Sequence, residues 1–489
     1  MRFASWLFCA ACLSACAPQA AVPAQAPPTE RPTPASDWKQ VEPAKQKQAL
    51  VPEPAGVPAA DAACQRFVEP PSAGCSKPAS ELDGLAQAMA TKEPGERDRL
   101  LSCLESSTAF TPGAIRALRA ELAPECADVL ALPLLEPRRA DITRNLEDTL
   151  IALAASGRLR RLVQKAPELS PPFDRARFMD FFQSTLKPWI VTQAAAIHDL
   201  AAVGPRLSPY AKGVVAVEAG LADMRFVSVV RQVPLPKEMS DDAEVRDAYY
   251  AALDEALEPR KARGRDAALV GLRELSNEGV VFDPRVQRAR ALLSEVYSGR
   301  RIDALDQLLL PELEPAPTDT SERSLAARLP SFYSGVLLER ATLDAPLLRA
   351  LMERGLPKAF AARLAPDKLD AASKALLVRA WFDRGRVYFR AEDFAASAKL
   401  SEVDKPTAEQ ALYHALASAL RDGPRDSSDL LLRGPELPAG TARVAELDHL
   451  AASVNAVRRA VDGYRFVTGL RCIARLSRDI LATHPCLPL

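Results

Sequence analysis

A serine and a lysine one helical turn apart are the nearest this sequence comes to a nucleophile with its base. In Ser184-Thr185-Leu186-Lys187-Pro188 an α-helix would set the Lys187 amine beside the Ser184 hydroxyl, where an amine can draw off the proton. Glu105, followed by Ser106, could act as a general acid, but only in a low-dielectric pocket that raises its pKa. The histidines, His198, His414, His449 and His484, each stand alone, with no second His at i+3 or i+4 and no HExxH. Neither a zinc site nor a Ser-His-Asp triad follows from that spacing. The densest basic cluster is Arg260-Lys261-Ala262-Arg263-Gly264-Arg265, flanked by Glu258 and Asp266, and reads as a solvated helix boundary. No residue set calls for a cofactor or a metal.

The elements that would hold these residues read as helices. The chain has 489 residues, with 63 Lys+Arg against 63 Asp+Glu and a formal net charge of +0. That balance argues against nucleic-acid binding, which needs cationic surface to displace phosphate counterions. At 48% hydrophobic and 26% charged, the composition is that of a folded protein. A Leu/Ala/Arg-rich chain with only 21 Gly favours an all-α fold over a phosphate-cradling α/β fold. Ile142, Leu146, Leu150 and Leu153 recur at helical spacing, as do Val245, Tyr249, Leu253 and Ala256. Start signals are Thr111-Pro112, Asp241 with Glu244, Asp283-Pro284 and Thr407 with Gln410; stop signals are Ser156-Gly157, Ser298-Gly299 and Asp422-Gly423. The run 213–217 could begin as a strand but continues at helical period through Leu221.

Pro-Leu elements recur along the body, at 133–137, 167–171, 234–236, 311–315 and 435–438. Pro133 and Pro167 lie 34 residues apart, and Pro167 and Pro234 lie 67 apart, close to twice that. One unit, with Trp381, Gly385, Tyr388 and Phe394, resembles the tetratricopeptide (TPR) repeat. In that likeness the glycine permits close helix packing and the aromatics fill the space between repeats. Arg384 and Ser397 stand where the family prefers Leu and Ala. The resemblance implies an α-solenoid of helical hairpins over roughly 138–440, with a concave groove suited to peptides or helices of partners.

The N-terminus carries a different likeness. Met1 and Arg2 open a short basic region, and an apolar run from Ala4 ends in Leu13-Ser14-Ala15-Cys16. That run is too short to span a bilayer. It resembles the lipobox of bacterial lipoproteins, which implies a signal peptide over 1–15 and lipidation of Cys16. With Ala17 rather than Asp next, the resemblance implies the periplasmic face of the outer membrane. Residues 16–60 are expected to form a Pro/Ala-rich disordered linker, whose ten prolines between 17 and 60 favour extended chain. Six cysteines follow: Cys64, Cys75, Cys103, Cys126, Cys472 and Cys486. An even number in an exported chain suggests disulfides, and fifteen pairings are open. Their grouping favours 64–75, 103–126 and 472–486, stapling a helical segment at 61–137 and a C-terminal cap at 441–489.

Two segments resemble peptidoglycan enzymes. Ser184 to Lys187 resembles the serine motif of penicillin-binding proteins, with Ser453-Val454-Asn455 in the role of the second motif and Val467-Thr468-Gly469, which lacks the cation, in that of the third. Glu105-Ser106 before Phe110-Thr111-Pro112-Gly113 resembles the catalytic segment of lytic transglycosylases, with Gly84-Leu85-Ala86-Gln87 on the wrong side of the Glu. Taken together, the expectation is a non-enzymatic, lipid-anchored scaffold or assembly factor whose partners are other cell-envelope proteins. Gliding motility, pilus assembly and secretion are the settings the family resemblance implies. A peptidoglycan-metabolism regulator or degenerate hydrolase, with peptidoglycan as a possible partner, is the alternative; a small-ligand or glycan-binding protein is a third.

Overall fold

The computed structural model describes residues 50–60, 62–67, 75, 78–164, 166–296, 317–388, 390–403 and 408–421. Every regular element among them is helical. The Leu13–Cys16 segment, residues 17–49, Cys472, Cys486, His449, His484, Ser453–Asn455, Val467–Gly469, Thr407, Ser298-Gly299, Asp422-Gly423 and the Pro-Leu elements at 311–315 and 435–438 lie outside the described residues.

A short helix, α1 (Ala62–Gln65), precedes four helices of nine or ten residues: α2 (Glu81–Ala90), α3 (Pro94–Ser102), α4 (Ala114–Leu122) and α5 (Ala127–Leu135). Their ends follow local chemistry. Ser80 caps α2 by accepting from the Asp83 amide, and Glu93 does the same for Glu96 at the start of α3. The start of α4 is not Thr111-Pro112 but Gly113, whose φ of 81° turns the chain left-handed into the helix.

Longer helices build the middle. α6 (Arg144–Gln164) buries Leu146, Leu150 and Leu153 as their spacing requires. Ser156-Gly157 does not end it. A Cβ on Gly157 would stand 2.9 Å from the Pro124 carbonyl, so the glycine lets α6 lie against the α4–α5 turn. α7 (Arg175–Phe181) runs through a π-helical turn (Phe182–Leu186) into α8 (Lys187–Val203). α9 (Pro209–Arg231) then pairs antiparallel with α11 (Ala243–Asn277) across the short α10 (Lys237–Ser240). At about 1.5 Å per residue, the 35 residues of α11 span about 50 Å. Its cap is Asp242, one residue after the expected Asp241, accepting from the Glu244 and Val245 amides.

The seam of α9 and α11 is made of glycines at heptad spacing, Gly213 and Gly220 on one helix against Gly264 and Gly271 on the other. A Cβ on Gly220 would stand 2.7 Å from the Gly264 carbonyl. The two backbones therefore approach where side chains would hold ordinary helices 8–10 Å apart. Beyond the seam the same helices meet α7, the π turn and α8 around a second, smaller core of Phe181, Leu186, Ile190, Phe226, Val230 and Leu253. Trp189 stacks on Phe226 at 5.5 Å, and the Arg260 guanidinium lies 3.7 Å from the Phe226 ring centre. Of the second stripe read in the sequence, Leu253 is buried while Val245 is exposed.

The chain then returns. α12 (Pro284–Val296) begins at Asp283-Pro284 as expected, Asp283 accepting from the Arg285 amide. α13 (Ser321–Arg328), α14 (Ser331–Leu337), α15 (Ala345–Glu353) and the short α16 (Lys358–Ala361) follow. α17 (Ala371–Tyr388), α18 (Ala391–Ser401) and α19 (Ala408–Arg421) pack as consecutive antiparallel helices.

The middle helices close on the first ones. Ser321 bonds to Asp83, Tyr333 donates to the Ala117 carbonyl at 2.9 Å, and Arg285 pairs with Glu121. Tyr210 donates to Glu121 at 3.1 Å and stacks on Phe332 with ring centres 3.8 Å apart. Burial pushes the Glu121 carboxyl up, and Arg285 pulls against it. In a solenoid each unit touches only its neighbours. The described helices, of 4 to 35 residues, also make contacts beyond their neighbours, from Tyr333 back to Ala117, and the prolines do not mark equivalent places in them: Pro133 sits inside α5 while Pro167 and Pro234 sit in loops.

Candidate binding cleft

Residues 50–60, expected to belong to the linker, lie as a strap against α6. Val51 and Pro54 are buried. Arg158 Nη1 donates to the Pro52 carbonyl at 2.8 Å, and Arg161 Nε donates to the Pro58 carbonyl at 3.2 Å. Arg161 is itself fixed, bonding both Asp128 oxygens at 2.6 Å and the Glu125 carbonyl at 2.7 Å.

Two disulfides fasten this region, and neither has the expected partner. Cys64 joins Cys126, and Cys75 joins Cys103. Grouping along the sequence takes Cys103 and Cys126 as neighbours. A whole helix, α4, lies between them, and α1 instead lays Cys64 beside the α4–α5 turn that carries Cys126.

Between the strap, α1, α3 and that turn lies a cleft of about 380 Å³. Pro58, Phe67, Pro94, Leu101, Leu122 and Pro124 give it apolar walls, with the Cys64–Cys126 bridge among them. Four arginines line it: Arg66, Arg97, Arg119 and Arg161. Arg119, only 4% exposed, donates to both Asp98 oxygens at 2.8 and 2.7 Å and to Glu105. Burial works against the Arg119 charge, and Asp98 with Glu105 outweighs it and holds its pKa above the ordinary value. Arg66 lies 4.9 Å from the Phe67 ring centre. The half-exposed Arg97 guanidinium has no hydrogen bond or ion pair among the described residues.

The catalytic pairs suggested by spacing are not assembled. Ser184 sits in the π turn and gives its hydroxyl to the Asp180 carbonyl at 2.6 Å, while Lys187 is exposed. The i→i+5 bonding of a π turn widens the helix, so residues three apart no longer stand over one another. Glu105 accepts from Arg116 and Arg119, which occupy both of its oxygens. His198 is exposed on α8, and His414 Nδ1 lies 3.0 Å from the Ala398 carbonyl. The basic cluster at 260–265 is not a helix boundary but the middle of α11. Arg260 and Arg263 reach Asp223, Lys261 reaches Asp254, and Arg265 reaches Asp266.

Of Trp381, Gly385, Tyr388 and Phe394, the structure sets Gly385 of α17 against Phe394 of α18. A Cβ on Gly385 would stand 2.9 Å from the Phe394 ring, which packs edge-on against Phe382 at 5.5 Å. The departures from the repeat pattern are absorbed locally. Arg384 bonds Asp393 at 3.1 Å and lies over Trp381, and buried Ser397 donates to the Val378 carbonyl at 2.8 Å.

Among the described residues, no group of three or more His, Cys, Asp or Glu could hold a metal ion, and no helix is long and apolar enough to cross a membrane. Compared with protein-family models, characterised proteins and solved structures, the chain matches none of them. Sequence reasoning missed the cleft, because its lining comes from positions as far apart as Pro58 and Arg161. The one signal was the crowding of arginine, proline and cysteine between 94 and 126.

Proposed function

We propose that this chain is a bacterial outer-membrane lipoprotein, anchored through Cys16 and facing the periplasm, that serves as a non-enzymatic scaffold for components of a trans-envelope machine. The reading rests first on the Leu13-Ser14-Ala15-Cys16 lipobox likeness. The observation that carries it further is the strap. Arg158 and Arg161 hold its carbonyls and a disulfide follows at Cys64, so the chain entering from the N-terminal side is fastened to the body. A tethered assembly factor needs such a fastening, because its anchor must set the position of its binding faces. The TPR-like hairpin of α17 and α18 is the face this reading assigns to a partner helix or peptide.

Replacement of Cys16 by Ser tests it. The variant should keep the helical content and disulfides of the parent, leave the membrane fraction, and lose its envelope cross-links in a pull-down read by mass spectrometry. Unchanged fractionation with outer membranes would refute the anchor. Unchanged cross-links from a mislocalised protein would refute the need for one.

A further inference from the structure

We propose that the cleft between the strap and α3 binds the carboxylate of a small amphiphile, a single acid group on an apolar body. Its volume of about 380 Å³ lies at the small end of the range for ligand sites. The walls are proline rings, Phe67, Leu101 and Leu122, which can cover an apolar body but offer it no hydrogen bonds.

The charges select the head group. Of the four lining arginines, two are committed: Arg119 to Asp98 and Glu105, and Arg161 to Asp128. They form a fixed wall whose charges those carboxylates offset. Arg66 and Arg97 hydrogen-bond no carboxylate among the described residues, and a guanidinium is built to take a carboxylate through two parallel bonds. A cationic ligand would meet the Arg66 and Arg97 guanidinium groups, which no hydrogen-bonded carboxylate offsets among the described residues. A strongly charged polyanion would meet the Asp98 and Glu125 carboxylates, which also line the cleft. One negative charge satisfies both limits. A sugar platform is a poor fit, because Phe67 is the one aromatic ring of the lining.

This inference is independent of lipid anchorage and of any partner. Calorimetry on the full-length oxidised protein tests it with three probes: N-acetyl-Ala-Leu with a free carboxylate, the same peptide as its C-terminal amide, and octanoate. At least one free acid should bind ten-fold or more tighter than the amide. If only the peptide acid binds, the source of the carboxylate is a peptide C-terminus; if octanoate binds as well or better, it is a fatty acid. Arg97→Gln and Arg66→Gln should each weaken the bound acid about ten-fold, while Arg246→Gln on the outer part of α11 leaves it unchanged. Because the Arg97 guanidinium has no hydrogen bond or ion pair among the described residues, its variant should melt with the parent. Equal binding of acid and amide, no binding by any probe, or full affinity in Arg97→Gln would each overturn the proposal.

Discussion

Gly271 faces Val217 so closely that a Cβ on the glycine would stand 2.5 Å from Val217 Cγ2 and 3.0 Å from its amide nitrogen. With Gly213, Gly220 and Gly264 it makes α9 and α11 a backbone-to-backbone pair, against which α6, α8 and α12 pack.

Gly220→Ala should therefore destabilise the protein. In an open helix the change would gain up to about 1 kcal/mol from propensity. Here the new methyl meets the Gly264 carbonyl at 2.7 Å and the Ala268 amide at 3.2 Å, and backbone cannot rotate aside. Overpacking costs about 1–3 kcal/mol and decides the sign. A lower denaturation midpoint is expected; a raised one would mean that the helices separate without cost.

The two disulfides should differ in weight. Cys64–Cys126 closes 62 residues and Cys75–Cys103 closes 28. On the chain-entropy argument the longer loop stabilises more, at about 4 kcal/mol. Cys64→Ser should lower stability more than Cys75→Ser and should expose residues 50–60 to limited proteolysis. Equal midpoints for the two variants would contradict this.

Acidity should act on the α17–α18 hairpin. Burial pushes the Asp393 carboxyl up to about 6, with Arg384 and then Arg390 pulling it back. The folded state then holds a proton that the unfolded chain releases near the ordinary value of 3.8. The contribution is full below that value and is lost as pH rises through about 6, by up to about 3 kcal/mol. Comparing urea midpoints at pH 4 and pH 7, the fall with rising pH should be smaller in Asp393→Asn than in the parent. An identical fall in both would reject the assignment.

Glu105→Gln and Ser184→Ala separate structural from catalytic readings of the enzyme-like motifs. Glu105 holds two guanidinium groups, one of them nearly buried, so its neutral replacement should cost about 2–4 kcal/mol. Ser184 is exposed, so its loss should stay within about 0.5 kcal/mol. Zymograms of both variants should match the parent. Loss of a lytic band in either one would restore the peptidoglycan-enzyme reading.

Helix content and several helix starts could be read directly, because Leu146, Leu150 and Leu153 or Asp283-Pro284 act over a single turn. The packing of Gly385 on Phe394 was legible for the same reason, since both belong to one hairpin. What depended on distant pairing was not. Glycine was read as punctuation at Ser156-Gly157, where it marks contact with the Pro124 carbonyl. The cysteine partners and the cleft arise because α1 and the strap pack on helices up to about a hundred residues later, and no local pattern encodes that return.

The Cys64–Cys126 bridge also sets how the molecule would carry tension. A pull applied upstream of Cys64 passes through the sulfur atoms into α5 and bypasses the 62-residue loop. Helices α2 to α4 would thus be mechanically shielded. Under load the strap would slide over α6 until the covalent bolt arrests it, leaving the shielded segment unstretched.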